Sequence, residues 1–172
     1  MDKELELVIE IVSSLESFAR DRKNYSDDAI QANREETLLK ETIKDSKKNR
    51  TKIYQLKNKT SNLTLGIIAL SASRLDFKPA LVIDYIFISN QFRERNSAIN
   101  YAQYLILFAF EKGLKLQKEI GVSNLILYPD NEEDGLIAYY KKRYGFIEIR
   151  EHIAIGKKVQ FEKWLYLPLK QK

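Results

Sequence analysis

Hydrophobic residues at Leu5, Val8, Ile9, Val12, Leu15 and Phe18 recur at helical spacing, which predicts an amphipathic helix over roughly residues 2–20. NYSDD (24–28) offers a capped start for a second helix over 27–48, with Ile30, Leu38, Leu39 and Ile43 facing inward. The period then shortens. KIYQLKN (52–58) alternates, KTSN turns, and LTLGIIALSAS (63–73) is rich in β-formers, so a hairpin is expected. ALVIDYIFIS (80–89) is apolar on both faces and predicts a central strand. From Tyr101 to Glu119 a long helix is expected, buried because it is apolar nearly all round between Tyr104 and Phe110. NLILYP (124–129) predicts a buried strand, and LIAYYKKRY a short helix stopped by Gly145. FIEIREHIAI and FEKWLYLPL predict two closing strands. The expected order is αα-βββ-α-β-α-ββ, a mixed α/β domain.

Composition narrows the chemistry. The chain has 172 residues, one domain's length, with a helical region over 1–48 and a core over 50–169. Without cysteine it has no disulfide, no thiolate nucleophile and no cysteine-ligated metal. His152 is its one histidine, so a zinc site or a Ser-His-Asp triad lacks material. The acidic turn Asp130–Asp134 lacks calcium-loop spacing and reads as a solvated helix start. The start of the chain lacks a signal peptide's basic flank and continuous apolar core, and no run approaches a membrane span, so a cytoplasmic protein without a membrane role is expected. Charge is uneven: residues 1–45 carry 7 basic and 12 acidic residues, whereas Lys40–Lys59 carries 8 basic and 2 acidic. That asymmetry suits an anionic partner such as a nucleotide or RNA, or is a solvated lysine-rich surface.

Two stretches could carry chemistry. QFRERNSAINYAQ (91–103) runs from the apolar strand into the long helix, so free backbone amides and the positive helix end meet at one spot suited to phosphate. Arg93 and Arg95 add fixed charge matched to phosphate oxygens. The loop has no glycine, and Asn96 and Asn100 are the residues best able to replace one, because asparagine tolerates left-handed backbone. In AYYKKRYGF (138–146), Tyr140 lies midway along the short helix, where a hydroxyl can protonate a leaving group. Tyr139, Tyr140, Tyr144 and Phe146 could equally be packing aromatics.

Together these stretches resemble the GNAT superfamily of acyl-CoA-dependent N-acetyltransferases over about residues 50–169. The resemblance rests on LVIDYIFIS, QFRERNSA, the helix ending KEIG (118–121), NLILYP and AYYKKRYGF. The last is close to the family's A-x-x-FY-x-K-x-GF signature, with Leu136 at the alanine and Tyr139 at the phenylalanine position. The resemblance implies a mixed, mostly antiparallel sheet splayed between two parallel strands, with two N-terminal helices, and acetyl-CoA as co-substrate. Ile86, Phe87 and Ile88 would meet its pantetheine arm. Its pyrophosphate would lie on Arg93, Glu94, Arg95, Asn96, Ser97 and Ala98, or, in a second register, on Asn100-Tyr101-Ala102. Both registers lack the family's glycines. Tyr140 would protonate the departing CoA thiolate, while Asp84, Glu148 or water would take the amine proton.

The long helix, the basic surface and the ending WLYLPLK also resemble acetyltransferase toxins of toxin–antitoxin pairs, which acetylate aminoacyl-tRNA. The amine acceptor is thereby left among protein, small molecule and aminoacyl-tRNA, and the N-terminal helices could form a homodimer interface. The alternative is a non-catalytic GNAT-fold module whose basic face binds RNA or a protein partner.

Overall fold

The structure, a computed structural model, describes residues 6–12, 14–75, 77–128, 134–149, 153–155, 158–160 and 164–170. The chain begins with β1 (Leu7–Ile11), α1 (Glu16–Arg20), α2 (Ala29–Lys47), β2 (Lys52–Asn58), β3 (Leu63–Leu75) and β4 (Lys78–Ile88). It continues with α3 (Tyr101–Ile120), β5 (Asn124–Leu127), α4 (Asp134–Tyr144), β6 (Ile147–Glu148), β7 (Ile153–Ile155), β8 (Lys158–Gln160) and β9 (Leu165–Pro168). Two compact units emerge: Met1–Ala69 with Tyr85–Phe108, and Leu70–Asp84 with Ala109–Lys172.

In the first unit, neighbouring strands run β1-β2-β3-β4. β1 pairs antiparallel with β2 from Leu7↔Asn58 to Ile11↔Tyr54. Glu10 fixes that register across the ladder, accepting from Lys57 Nζ at 3.0 Å and Gln55 Nε2 at 3.2 Å. α2 starts where sequence chemistry dictates: the Asp28 carboxylate accepts from the Gln31 N–H at 2.8 Å, relieving an orphan donor of the first turn. Leu15, Ala19, Tyr25, Leu39, Ile53, Ile67, Ala69 and Phe87 form one core, with Phe18 set edge-on to Phe87. Gly66 lets β3 approach β4. A Cβ there would lie 2.6 Å from the Phe87 carbonyl oxygen.

In the second unit the order is β4-β5-β9-β6, with β7 pairing β3 and β8 pairing β7. β4 and β5 are parallel from Ala80↔Asn124 to Ile83↔Leu127, and β9 is antiparallel to β5 and β6. Leu75, Ala80, Val82, Ile126 and Ile149 make a second core, with Trp164 and Tyr166 against it. α3 ends at Gly121, whose φ of 74° would strain any side chain, and α4 ends likewise at Gly145 with φ 80°.

Four expectations need correction. Residues 2–20 are not one helix: 7–11 are a strand, and among the described residues of that span only 16–20 are α-helical. LELVIEIV satisfies both periods, and the exposed edge of β2 supplies the long-range partner that settles it. Ile30 does not face inward but is 83% exposed, and Glu35 occupies the buried face with Leu39 instead. α3 is not buried all round, because Tyr104 and Leu107 are each 45% exposed. The closing segments are broken more finely than expected, into β6 to β9. Pro129, Asp130–Glu133 and His152 lie outside the described residues.

Candidate functional site

The end of β4 and the loop after it are held by short-range backbone bonds, such as Phe92 N–H to the Ser89 carbonyl at 2.8 Å, and by a set of side-chain bonds laid over them. β4 continues to Ile88, beyond its last β5 pair at Ile83. Along that extension Ile86 and Ile88 are half-buried and Phe87 is buried. Two short 3-10 turns follow, over Asn90–Phe92 and Glu94–Asn96. Buried Asn90 is their hub: its carbonyl accepts from Asn96 Nδ2 at 2.8 Å, and its side-chain oxygen accepts from Arg95. Ser89, fully buried, donates from its hydroxyl to Asn24 Oδ1 at 2.7 Å. Asn24 in turn donates to the Phe18 carbonyl at 2.8 Å.

Arg93 is held on three sides. Its Nε donates to the Ile88 carbonyl at 2.9 Å, its Nη2 lies 3.0 Å from Glu35 Oε2, and its guanidinium stacks 5.4 Å from the centre of the Phe87 ring. Glu35, 7% exposed, also accepts from the Ser26 N–H at 2.9 Å and Gln31 Nε2 at 3.3 Å. The Arg93 charge is therefore already met inside the protein.

The expected glycine mimicry does not occur. Positive φ is absent throughout 89–100: Asn96 sits in a 3-10 turn, and Asn100 caps α3 by accepting from the Gln103 N–H at 3.3 Å. Backbone bonds of the 3-10 turns together with asparagine side-chain bonds, rather than left-handed backbone, set this loop's course. Because α3 begins at Tyr101, the register using Asn100, Tyr101 and Ala102 lies at the helix start, where amides point outward. The register from Arg93 to Ala98 lies in the turns before it; there Glu94, Arg95, Asn96 and Ala98 are exposed and Ser97 is half-buried.

In the second unit, α4 carries a tyrosine cluster. Tyr140 is half-buried, with ring centres 5.5 Å from Tyr139, 6.2 Å from Tyr144 and 6.0 Å from Phe146. Burial, and then the neighbouring Tyr139, push its hydroxyl up to about 12. Burial, with Tyr139 beside it, holds the Tyr144 hydroxyl above its ordinary range as well. Tyr140 is thus an acid that keeps its proton at neutral pH and sits among aromatic rings. The two candidate bases are already engaged: Asp84 Oδ1 accepts from the Ser71 hydroxyl at 3.0 Å, and Glu148 Oε2 lies 3.2 Å from Lys141 Nζ.

Sequence reasoning missed Asn24, Glu35, Ser89 and Asn90, the buried polar side chains around the loop. One signal could have found Glu35: it interrupts the stripe Ala32, Leu39, Ile43 at helical spacing, putting a charge where apolar residues belong.

No protein-family model matches the chain, and no curated protein does. Solved structures do. The toxin AtaT, as a tyrosine-to-phenylalanine mutant bound to the C-terminus of the antitoxin AtaR and acetyl-CoA, is 16% identical with a TM-score of 0.66, covering 95% of this chain and 93% of that one. AtaT complexed with acetyl-methionyl-tRNAfMet is 16% identical with a TM-score of 0.63, covering 95% of both chains. The KacTA–DNA complex is 19% identical with a TM-score of 0.64, covering 95% and 94%. At these identities the likeness establishes the fold, and the fold is the GNAT fold of those toxins.

Proposed function

We propose that this chain is an N-acetyltransferase that moves an acetyl group from acetyl-CoA to a primary amine, and that the amine is the α-amino group of an aminoacyl-tRNA. The observation that carries the reading is the match, over 95% of the chain, to a toxin fold crystallised with acetyl-CoA. The residues fit such a co-substrate. The amide end of α3 at Asn100–Ala102 offers donors to pyrophosphate oxygens, and the β4 backbone at Ile86–Ile88 is extended, as a pantetheine arm needs. Acetyl-CoA supplies an activated thioester carbonyl, and the chain supplies position and a proton.

A neutral amine nitrogen attacks that carbonyl; the C–N bond forms and the C–S bond breaks with its electron pair left on sulfur. Tyr140 donates its phenolic proton to that sulfur, and the amine's surplus proton passes to water. Holding two reactants in register supplies much of the barrier lowering in such transfers. Tyr140 carries its proton at neutral pH and so has one to give to the sulfur as the C–S bond breaks. The tRNA acceptor is supported by the AtaT complex with acetyl-methionyl-tRNAfMet and by the excess of 8 basic over 2 acidic residues in Lys40–Lys59. Such a segment suits a phosphate backbone.

The first test is thermal unfolding with and without acetyl-CoA. Ligand at 100 times its dissociation constant adds about 2.7 kcal/mol of stability. A rise in Tm is the expected result, followed by transfer of labelled acetyl to charged tRNA. No rise at millimolar ligand would overturn the reading.

A further inference from the structure

The ion pair between Arg93 and Glu35 has no evident purpose as a stability device. A buried pair costs desolvation that an apolar pair of similar volume would avoid, so its retention calls for another reason. Its place supplies one. Through Nε, Arg93 grips the carbonyl of Ile88, the last residue of β4, and through Nη2 it grips Glu35 on α2. Glu35 is braced in its turn by the Ser26 backbone and by Gln31, one helical turn before it. Side chains therefore add to the backbone bonds of Ser89 and Phe92 in holding the end of the strand and the first turn of the loop, in a segment with neither glycine nor positive φ.

We infer that Glu35 is a positioning residue for acetyl-CoA: through Arg93 it sets the course of the strand end that receives the pantetheine arm and of the loop leading from it to the amide end of α3, which receives the pyrophosphate. The inference rests on the acetyl-CoA reading above. It separates Arg93 from the usual expectation of an arginine in such a loop, because a guanidinium already neutralised by a buried carboxylate acts on the ligand by holding backbone, not by meeting phosphate. The two roles predict opposite signs. If Glu35 positions the loop, removing its charge loosens acetyl-CoA; if it merely occupies a phosphate-binding arginine, removing its charge frees that arginine and tightens acetyl-CoA.

Two variants decide this, E35Q and the apolar pair E35M/R93M, measured by calorimetric titration of acetyl-CoA, by steady-state kinetics and by melting. For E35Q, the acetyl-CoA Kd and KM should rise about tenfold, with kcat at saturation within about twofold of wild type. E35M/R93M keeps Tm near the wild-type value, as apolar replacements of buried pairs do, yet shows the same rise in Kd. Ligand-free E35Q should also lose hydrogen-exchange protection at residues 89–97. A Kd equal to or below wild type in either variant overturns the inference, whatever happens to Tm. Failure of the wild-type protein to bind acetyl-CoA overturns the functional reading, and this inference with it.

Discussion

At Tyr140 one substitution separates chemistry from binding. Tyr140→Phe keeps the ring contacts to Tyr139, Tyr144 and Phe146 and removes only the acid. Its kcat should fall about 10²-fold or more, as loss of a general acid does, with the acetyl-CoA Kd unchanged in calorimetry. Retained turnover would take Tyr140 out of the mechanism. Gly66 is a second informative residue. In Gly66→Ala the added Cβ meets backbone oxygen at 2.6 Å, so β4 must shift; Tm should drop by roughly 3–10 °C in calorimetry. At this scale the sequence showed candidates but not their state. AYYKKRYGF drew attention to Tyr140, yet nothing in the letters says that burial lifts its hydroxyl, because the rings responsible act through packing. Arg93 was legible as a cation in a phosphate-like loop, while its carboxylate partner lay 58 positions away on another element.

Element by element, local pattern served where the partner was also local, and failed where a distant partner decided. β2, with its alternation, and α2, with Asp28 as its cap, were readable from neighbouring letters alone. The helix expected over 2–20 was lost because a segment with both periods took the one that completes a ladder with β2. The start of α3 is the element most exposed to test. Asn100→Ala removes the cap and should cost about 1 kcal/mol, seen as a Tm lower by roughly 2–4 °C. Asn100→Asp keeps the cap and suits the helix dipole, so Tm should hold or rise. Its added negative charge should nonetheless weaken acetyl-CoA binding, because the same amide end must receive the pyrophosphate. Unchanged affinity in Asn100→Asp would place the phosphates elsewhere and favour the register from Arg93 to Ala98.

For the whole molecule, the alkaline limit is set by tyrosines. Tyr25, whose hydroxyl donates to the Ala19 carbonyl at 2.6 Å, is pushed up to about 12 by burial and then by Glu36 and Glu35, and Tyr140 is raised to about 12 as well. A raised folded value means that the folded chain holds these protons more tightly than the unfolded chain. Their contribution is complete below pH 10 and is lost between about 10 and 12 as the unfolded state ionises first. Tm measured from pH 9 to 12 should fall steeply in that window, and less steeply in Tyr25→Phe. Among the described residues, no helix is long and apolar enough to cross a membrane, and no cluster of carboxylates or histidine could hold a metal ion. The pairing of β1 with β2 bears on how the chain is made. Glu10 meets Gln55 across 45 residues. At 5–20 residues per second, a ribosome releases that partner roughly 2–9 s after the first strand emerges. Throughout that interval Leu7, Val8, Ile9 and Ile11 have no ladder to join, so β1 is a sticky stretch of the nascent chain, and a chaperone that shields short apolar segments would find a client site there.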